Sequence, residues 1–137
     1  MQIRPPPLLA LALALLPLVS DAKPLTDAEI EAAFVVADPD RDGKIDPRES
    51  SKFGIGKKAF EVADVGHDRK LDRNRFAAAI VHQFNRAAGK GDVLDHQAAQ
   101  VAGLKSKQAV MAADGDGDGT LDLGEYLRAL TLQAQGE

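Results

Sequence analysis

The sequence predicts an all-α protein assembled from helix–loop–helix repeats, and three observations predict it. A twelve-residue acidic pattern occurs twice, as "DPDRDGKIDPRE" over 38–49 and "DGDGDGTLDLGE" over 114–125. Between and around these loops, apolar residues recur three and four positions apart, the spacing of one helix face. No candidate strand exceeds a few residues, so the regular structure is expected to be helical.

Composition narrows the chemistry. The chain has 137 residues, enough for one domain or two small lobes. Its 17 Lys+Arg and 21 Asp+Glu leave a net charge of −4, which offers no basic footprint for nucleic acid. It has no Cys, so disulfides, thiolate metal sites and a cysteine nucleophile are excluded. No Trp and five Phe mean that the core is built from Phe, Leu, Ile, Val and Ala. The isolated His67, His82 and His96 are read as surface or helix-face residues. No nucleophile-and-base signature or phosphate-cradling glycine loop is present, and no catalytic activity is expected.

The first 22 residues differ from the rest. Arg4 and a proline triplet precede an apolar run from Leu8 to Val19, followed by Ser20, Asp21 and Ala22. A basic start, a short apolar centre and small residues before a cut form the layout of a secretory signal. The run is well short of the ~20 residues that cross a bilayer. Cleavage near Ala22 is expected, leaving a periplasmic or secreted protein without a membrane span; a retained signal-anchor is the alternative. The Ala- and Leu-rich leader suggests a bacterial periplasmic setting. Removal of 1–22 takes away one base, Arg4, and one acid, Asp21, so the charge is unchanged.

The mature chain opens with "PLTDAEIEAAFVVAD". Thr26 is placed to cap a helix, Glu29 completes a capping box, and Leu25 and Ile30 form a hydrophobic staple. Ile30, Ala33, Phe34 and Ala37 follow at helical spacing and lead into Asp38. After the first loop, Asp46 is the cap and Pro47 the first residue of the next helix. Gly54 and Gly56 then break the chain before "KKAFEVAD" enters a second loop at Asp64. Phe76, Ala79, Ile80, Phe84 and Ala87 make the apolar stripe of a longer helix. "AVMAAD" enters the last loop, and "GEYLRALTL" leaves it with Leu127 and Leu130 facing inward.

Two weaker copies of the loop pattern lie between the full ones. "DVGHDRKLDRNR" (64–75) keeps acids at positions one, five and nine and Leu71 at eight. "AAGKGDVLDHQA" (87–98) keeps little beyond Leu94 and Asp95. Starts at 38, 64, 87 and 114 describe a fourfold repeat of helix, loop and helix.

The spacing has a chemical reason. Calcium takes six to eight hard oxygen ligands in flexible geometry. Alternate side chains on a tightly wrapped loop point to a common centre, which explains carboxylates at every second position. Glycine at six permits a left-handed turn. Position seven donates only a backbone carbonyl, so its side chain varies. Glutamate at twelve sits on the exit helix and can bind through both oxygens, which ties the ligand to the helix direction.

The chain resembles an EF-hand protein of the calmodulin superfamily, of a bacterial secreted or periplasmic type, and meets the pattern D-x-[DN]-x-[DN]-G-x₅-E in full twice. The resemblance covers nearly all of the mature chain. It implies four hands in two pairs, over 23–86 and 87–137, joined at the eighth positions by short two-stranded contacts, Ile45 with Leu71 and Leu94 with Leu121. It also implies two calcium ions. The first would be held by Asp38, Asp40, Asp42, the Lys44 carbonyl, Asp46 and Glu49. The second would be held by Asp114, Asp116, Asp118, the Thr120 carbonyl, Asp122 and Glu125.

The middle loops depart from the family where departure matters. In the second, Gly66 has no side-chain ligand, Arg69 replaces the glycine, where φ > 0 is costly for a bulky residue, and Arg75 replaces the bidentate glutamate. Arg75 either lies over Asp64 and Asp68 as an internal counter-ion or points into water. The third, with Ala87 and Ala98 at its ends, is expected to be empty.

Three functions compete: an extracytoplasmic calcium buffer or calcium-stabilised binding module, a calcium-switched sensor gripping a target helix, and a docking domain resembling dockerins. Broad sensors expose a methionine-rich groove, and the mature chain has only Met111, which favours the first. Both full loops end in glutamate behind convincing entering helices, which disfavours the third. Two calcium ions would take the net charge of −4 to about zero. Loop 38–49 holds Arg41, Lys44 and Arg48 whereas loop 114–125 holds no base, so the later site is expected to bind more tightly. Outside the cytoplasm, affinities of about 10⁻⁴–10⁻³ M would suffice.

Overall fold

The computed structural model describes residues 25–89, 91–115 and 117–136. The expected signal segment and its cleavage point lie outside them, as does Asp116. Among the described residues there are helices and no strand, and no helix is long and apolar enough to cross a membrane. The helices are α1 (Asp27–Ala37), α2 (Pro47–Phe53), α3 (Lys57–Ala63), α4 (Arg73–Ala88), α5 (His96–Val101), α6 (Lys107–Ala113) and α7 (Leu123–Gln135).

Local chemistry sets their ends. Thr26 Oγ1 accepts from the Glu29 N–H at 3.1 Å and Glu29 Oε1 accepts from the Thr26 N–H at 2.9 Å, closing the expected capping box. Asp46 and Glu49 do the same for α2, and Asp122 and Glu125 for α7. Asp72 caps α4 through the Arg75 N–H alone, because Arg75 has no oxygen to return the bond. The staple residues Leu25 and Ile30 both pack against the core.

Loops pair through single antiparallel bridges. Ile45 and Leu71 exchange N–H···O bonds of 2.8 and 2.9 Å, and Leu94 and Leu121 exchange bonds of 2.8 and 2.9 Å. All four side chains are buried, so the bridge residues anchor their loops to the core.

The third loop is shorter than the expected span 87–98, because α4 continues through Ala88 and also crosses the expected division at 86/87. Cap and bridge residues lie seven positions apart in three loops (38 and 45, 64 and 71, 114 and 121). In the third, capped by Gly89 and bridged at Leu94, the gap is five. No carboxylate terminates α4, and its apolar stripe favours another half-turn of helix over an open loop.

A continuous core joins all these elements. The ring of Phe76 (α4) meets Phe34 (α1) and Phe53 (α2) edge to face, with centroids 5.5 and 5.4 Å apart. Phe84 (α4) lies 5.6 Å from Tyr126 (α7). All five rings are buried, and burial of such a side chain stabilises by about 1.5–3 kcal/mol. Helix α7 packs on α1 and α2 as well as on α6, so the exit helix of the last loop covers both helices that flank the first. Leu127 and Leu130 face this core as expected.

Candidate metal centre

In the first loop the chain wraps around a centre. Asp38 caps α1, Arg41 and Gly43 take left-handed φ values of 55° and 83°, and Ile45 leaves through its bridge. This winding gathers Asp38, Asp40, Asp42 and Glu49, each with a carboxylate oxygen within 4.8 Å of the others. Four carboxylates in that space repel one another unless a cation or protons intervene.

Each carboxylate spends one oxygen on the loop's own backbone. Asp38 Oδ2 accepts from the Gly43 N–H at 2.9 Å, Asp40 Oδ1 from Asp42 at 3.2 Å, and Asp42 Oδ1 from Lys44 at 3.0 Å. Glu49 Oε1 accepts from the Asp46 N–H at 3.0 Å, while Asp46 Oδ1 is used by the Glu49 N–H at 2.8 Å. The other oxygen of Asp38 is buried and has no partner. A buried acceptor left unsatisfied costs about 1–3 kcal/mol, and a hard cation at the loop centre removes that cost.

The charges respond to this crowding. Burial pushes the Glu49 carboxyl up to about 7, with Asp46, Asp40 and Asp38 adding repulsion. Asp38 is raised by burial and by its contact with Asp40. Asp42 is lowered, chiefly by the Lys44 N–H. Lys70, from the neighbouring loop, reaches Asp42 Oδ2 at 3.7 Å. Sequence reasoning missed this pair, although Lys70 precedes Leu71, whose bridge to Ile45 brings the two loops side by side.

Loop 114–125 repeats the arrangement among its described residues. Gly117 and Gly119 take φ values of 68° and 82°. Asp114 Oδ2 accepts from the Gly119 N–H at 2.9 Å, and Asp114 Oδ1 is buried without a partner. Asp118 Oδ1 accepts from the N–H and hydroxyl of Thr120 at 2.9 and 3.0 Å. Asp122 caps α7, and Glu125 Oε1 accepts from the Asp122 N–H at 3.0 Å.

The second loop is folded the same way but leaves no such oxygen. His67 and Arg69 adopt φ values of 54° and 63°, so the winding persists even with bulky residues. Asp64 Oδ1 accepts from the Asp68 N–H at 3.3 Å and Oδ2 from the Arg69 N–H at 3.0 Å. A β-carbon on Gly66 would sit 3.1 Å from Arg75 Nη1, so the guanidinium lies across the third position of the loop. The Asp68 carboxyl is lowered, first by the Lys70 N–H and in smaller part by Arg75. Arg75 thus turns into the loop beside Gly66, which agrees with the first of its two expected placements only in part, because it makes no ion pair with Asp64 or Asp68.

No curated protein matches the chain. Residues 30–51, running from within α1 through the first acidic loop into α2, match the family model of the EF hand; with the four-carboxylate cluster inside that segment, the match supports an EF-hand calcium-binding protein.

Proposed function

We propose that this chain binds two calcium ions, one in loop 38–49 and one in loop 114–125, and that it works outside the cytoplasm as a calcium buffer or calcium-stabilised binding module. The observation that carries the two-site reading is the state of the first aspartate in each loop. Asp38 and Asp114 each keep one buried oxygen without a partner, whereas Asp64 gives both oxygens to backbone N–H groups. The ligands would be Asp38, Asp40, Asp42, the Lys44 carbonyl, Asp46 and Glu49 in one site. The other would use Asp114, Asp116, Asp118, the Thr120 carbonyl, Asp122 and Glu125. The bridges Ile45–Leu71 and Leu94–Leu121 support an arrangement of four hands in two pairs, each pair with one full and one degenerate loop.

Packing favours the module over a sensor. Helix α7 lies on α1 and α2, so a target helix seeking that apolar face has to displace it. Equilibrium dialysis in millimolar calcium, with metal counted by atomic emission, is expected to return two ions per chain. Asp38→Ala and Asp114→Ala each remove one. Absence of bound calcium in the unaltered protein ends the reading.

A further inference from the structure

We infer that Gln83 and Tyr126 couple the two calcium sites, so that filling either one tightens the other. The inference rests on the two-site reading above and adds a route between the sites.

The route begins at the exit glutamate of the last loop. Glu125 is bonded to the loop at both ends, to the Asp122 N–H and the Gly115 N–H, and Tyr126 follows it on α7. Tyr126 is fully buried and donates its hydroxyl to the Ala102 carbonyl at 2.7 Å. Gln83, on α4, places Nε2 2.8 Å from the Tyr126 oxygen, 2.8 Å from the Gly54 carbonyl and 2.7 Å from the Ala102 carbonyl. Its Oε1 accepts from the Gly56 N–H at 2.7 Å. With its oxygen toward the Gly56 N–H, the amide turns its two hydrogens toward these three acceptors, so at least one hydrogen is shared between two of them.

The other end of the route is α2. Gly54 caps that helix, and Glu49 stands in its first turn. Four residues of helix, 50–53, therefore separate the ligand of the first site from the carbonyl that Gln83 holds. The linkers on either side of Gln83 also touch. Gly54 and Gly103 have φ values of 110° and 98°, and a β-carbon on Gly103 would lie 2.5 Å from the Gly54 oxygen. Neither linker can shift without moving the other. Gln133, on α7, adds a second stitch by accepting from the Lys105 and Ser106 N–H groups and donating to the Gly103 carbonyl.

Coupling within a pair cannot join the two sites, because each bridge leads from a full loop to a degenerate one. Metal in loop 114–125 orders Glu125 and the start of α7. Through Tyr126 and Gln83 that order reaches Gly54 and restrains α2. Metal entering loop 38–49 then has less disorder left to remove. The effect is reciprocal, and couplings of this kind change affinity by roughly 5- to 150-fold.

Calorimetric titration of the full chain with calcium alone tests the inference. The site remaining in Asp38→Ala, and the one remaining in Asp114→Ala, should each bind at least about fivefold more weakly than in the unaltered protein. Gln83→Leu keeps the bulk and removes the bonds. Tyr126→Phe removes only a hydroxyl and guards against a folding defect in the first variant. Each should still bind two ions, with the coupling reduced to less than about twofold. Tyr126 is the only Tyr in a chain without Trp, so its emission gives a second readout. In Asp114→Ala, calcium filling loop 38–49 should change that emission, and adding Gln83→Leu should abolish the change. Two ions bound independently in the unaltered protein, or coupling undiminished in both network variants, would overturn the inference and leave the two-site reading standing. No bound calcium would overturn both.

Discussion

Glu125 Oε2 accepts a hydrogen bond from the Gly115 N–H at 3.1 Å, which closes the last acidic loop from its twelfth residue to its second. The first loop has no counterpart, because its second residue is Pro39 and a proline has no N–H to give Glu49. The two full loops therefore hold their exit glutamates differently. Charge separates them further, since Lys70 lies 3.7 Å from Asp42.

Loop 114–125 is expected to be the tighter site. The pair of Lys70 with Asp42 is exposed and weak, yet calcium at Asp42 has to displace or tolerate that ammonium. Lys70→Gln should tighten loop 38–49 by a few-fold, about fivefold at most, and leave loop 114–125 within twofold. Site-specific titrations in Asp114→Ala and Asp38→Ala backgrounds give both numbers. An unchanged affinity at loop 38–49 would show that Lys70 does not compete.

Calcium should strongly stabilise the fold. A ligand at a hundred times its Kd contributes about 2.7 kcal/mol per site. Two sites in a domain of this size correspond to a rise in melting temperature of roughly 15–20 °C. Melts followed by circular dichroism in calcium and in chelator would be compared. Superimposable curves defeat the claim that metal holds the loops together.

Arg69 should be improved by glycine. Its φ of 63° strains an L-residue by about 1–2 kcal/mol, and glycine gives back roughly 0.5–1 kcal/mol through its freer unfolded chain. Arg69→Gly should therefore stabilise by about 0.5 kcal/mol and raise the melting point by ~1.5–2 °C. The same change at Lys70, which lacks a positive φ, should destabilise. A loss of stability in Arg69→Gly counts against strain at this residue.

Glu49 should make the metal-free protein and its calcium affinity respond oppositely to pH. Its folded value of about 7 lies above the ordinary 4.5. Its contribution to metal-free stability is thus complete below 4.5 and is lost as pH rises through about 7. Calcium needs the carboxylate, so affinity at loop 38–49 falls as pH drops from 8 to 5.5, with a proton released on binding near neutral pH. Calorimetry in buffers of different ionisation enthalpy measures that proton. Equal affinity across the range would contradict the raised value.

The acidic loops and their helices were legible before any coordinates, since capping boxes, left-handed glycines and the apolar eighth residues are local signals. Thr26 with Glu29 and the Asp46 cap fall where spacing places them, and Ile45 pairs with Leu71 as the family resemblance implies. The short third loop was not, because Ala87 and Ala88 are good helix formers whose allegiance depends on what α4 packs against. Gln83 was equally silent. It lies at helical spacing from Phe76, Ile80 and Ala87, where a polar residue signals a buried bond, but its partners are 19 to 43 residues away in sequence.

What the amino-acid order determined by itself is the chemistry of each loop: which carboxylates stand at alternate positions, which residues can turn left-handed, and which helix each exit glutamate begins. These depend on neighbours within a dozen residues. Only the tertiary structure decided that α7 lies across α1 and α2, that Lys70 reaches Asp42, and that the Gly54 and Gly103 linkers meet under Gln83. Such contacts arise from burying one shared apolar core. Many sequences with the same loops could fill that core differently, and no local pattern names the residue that will lie opposite.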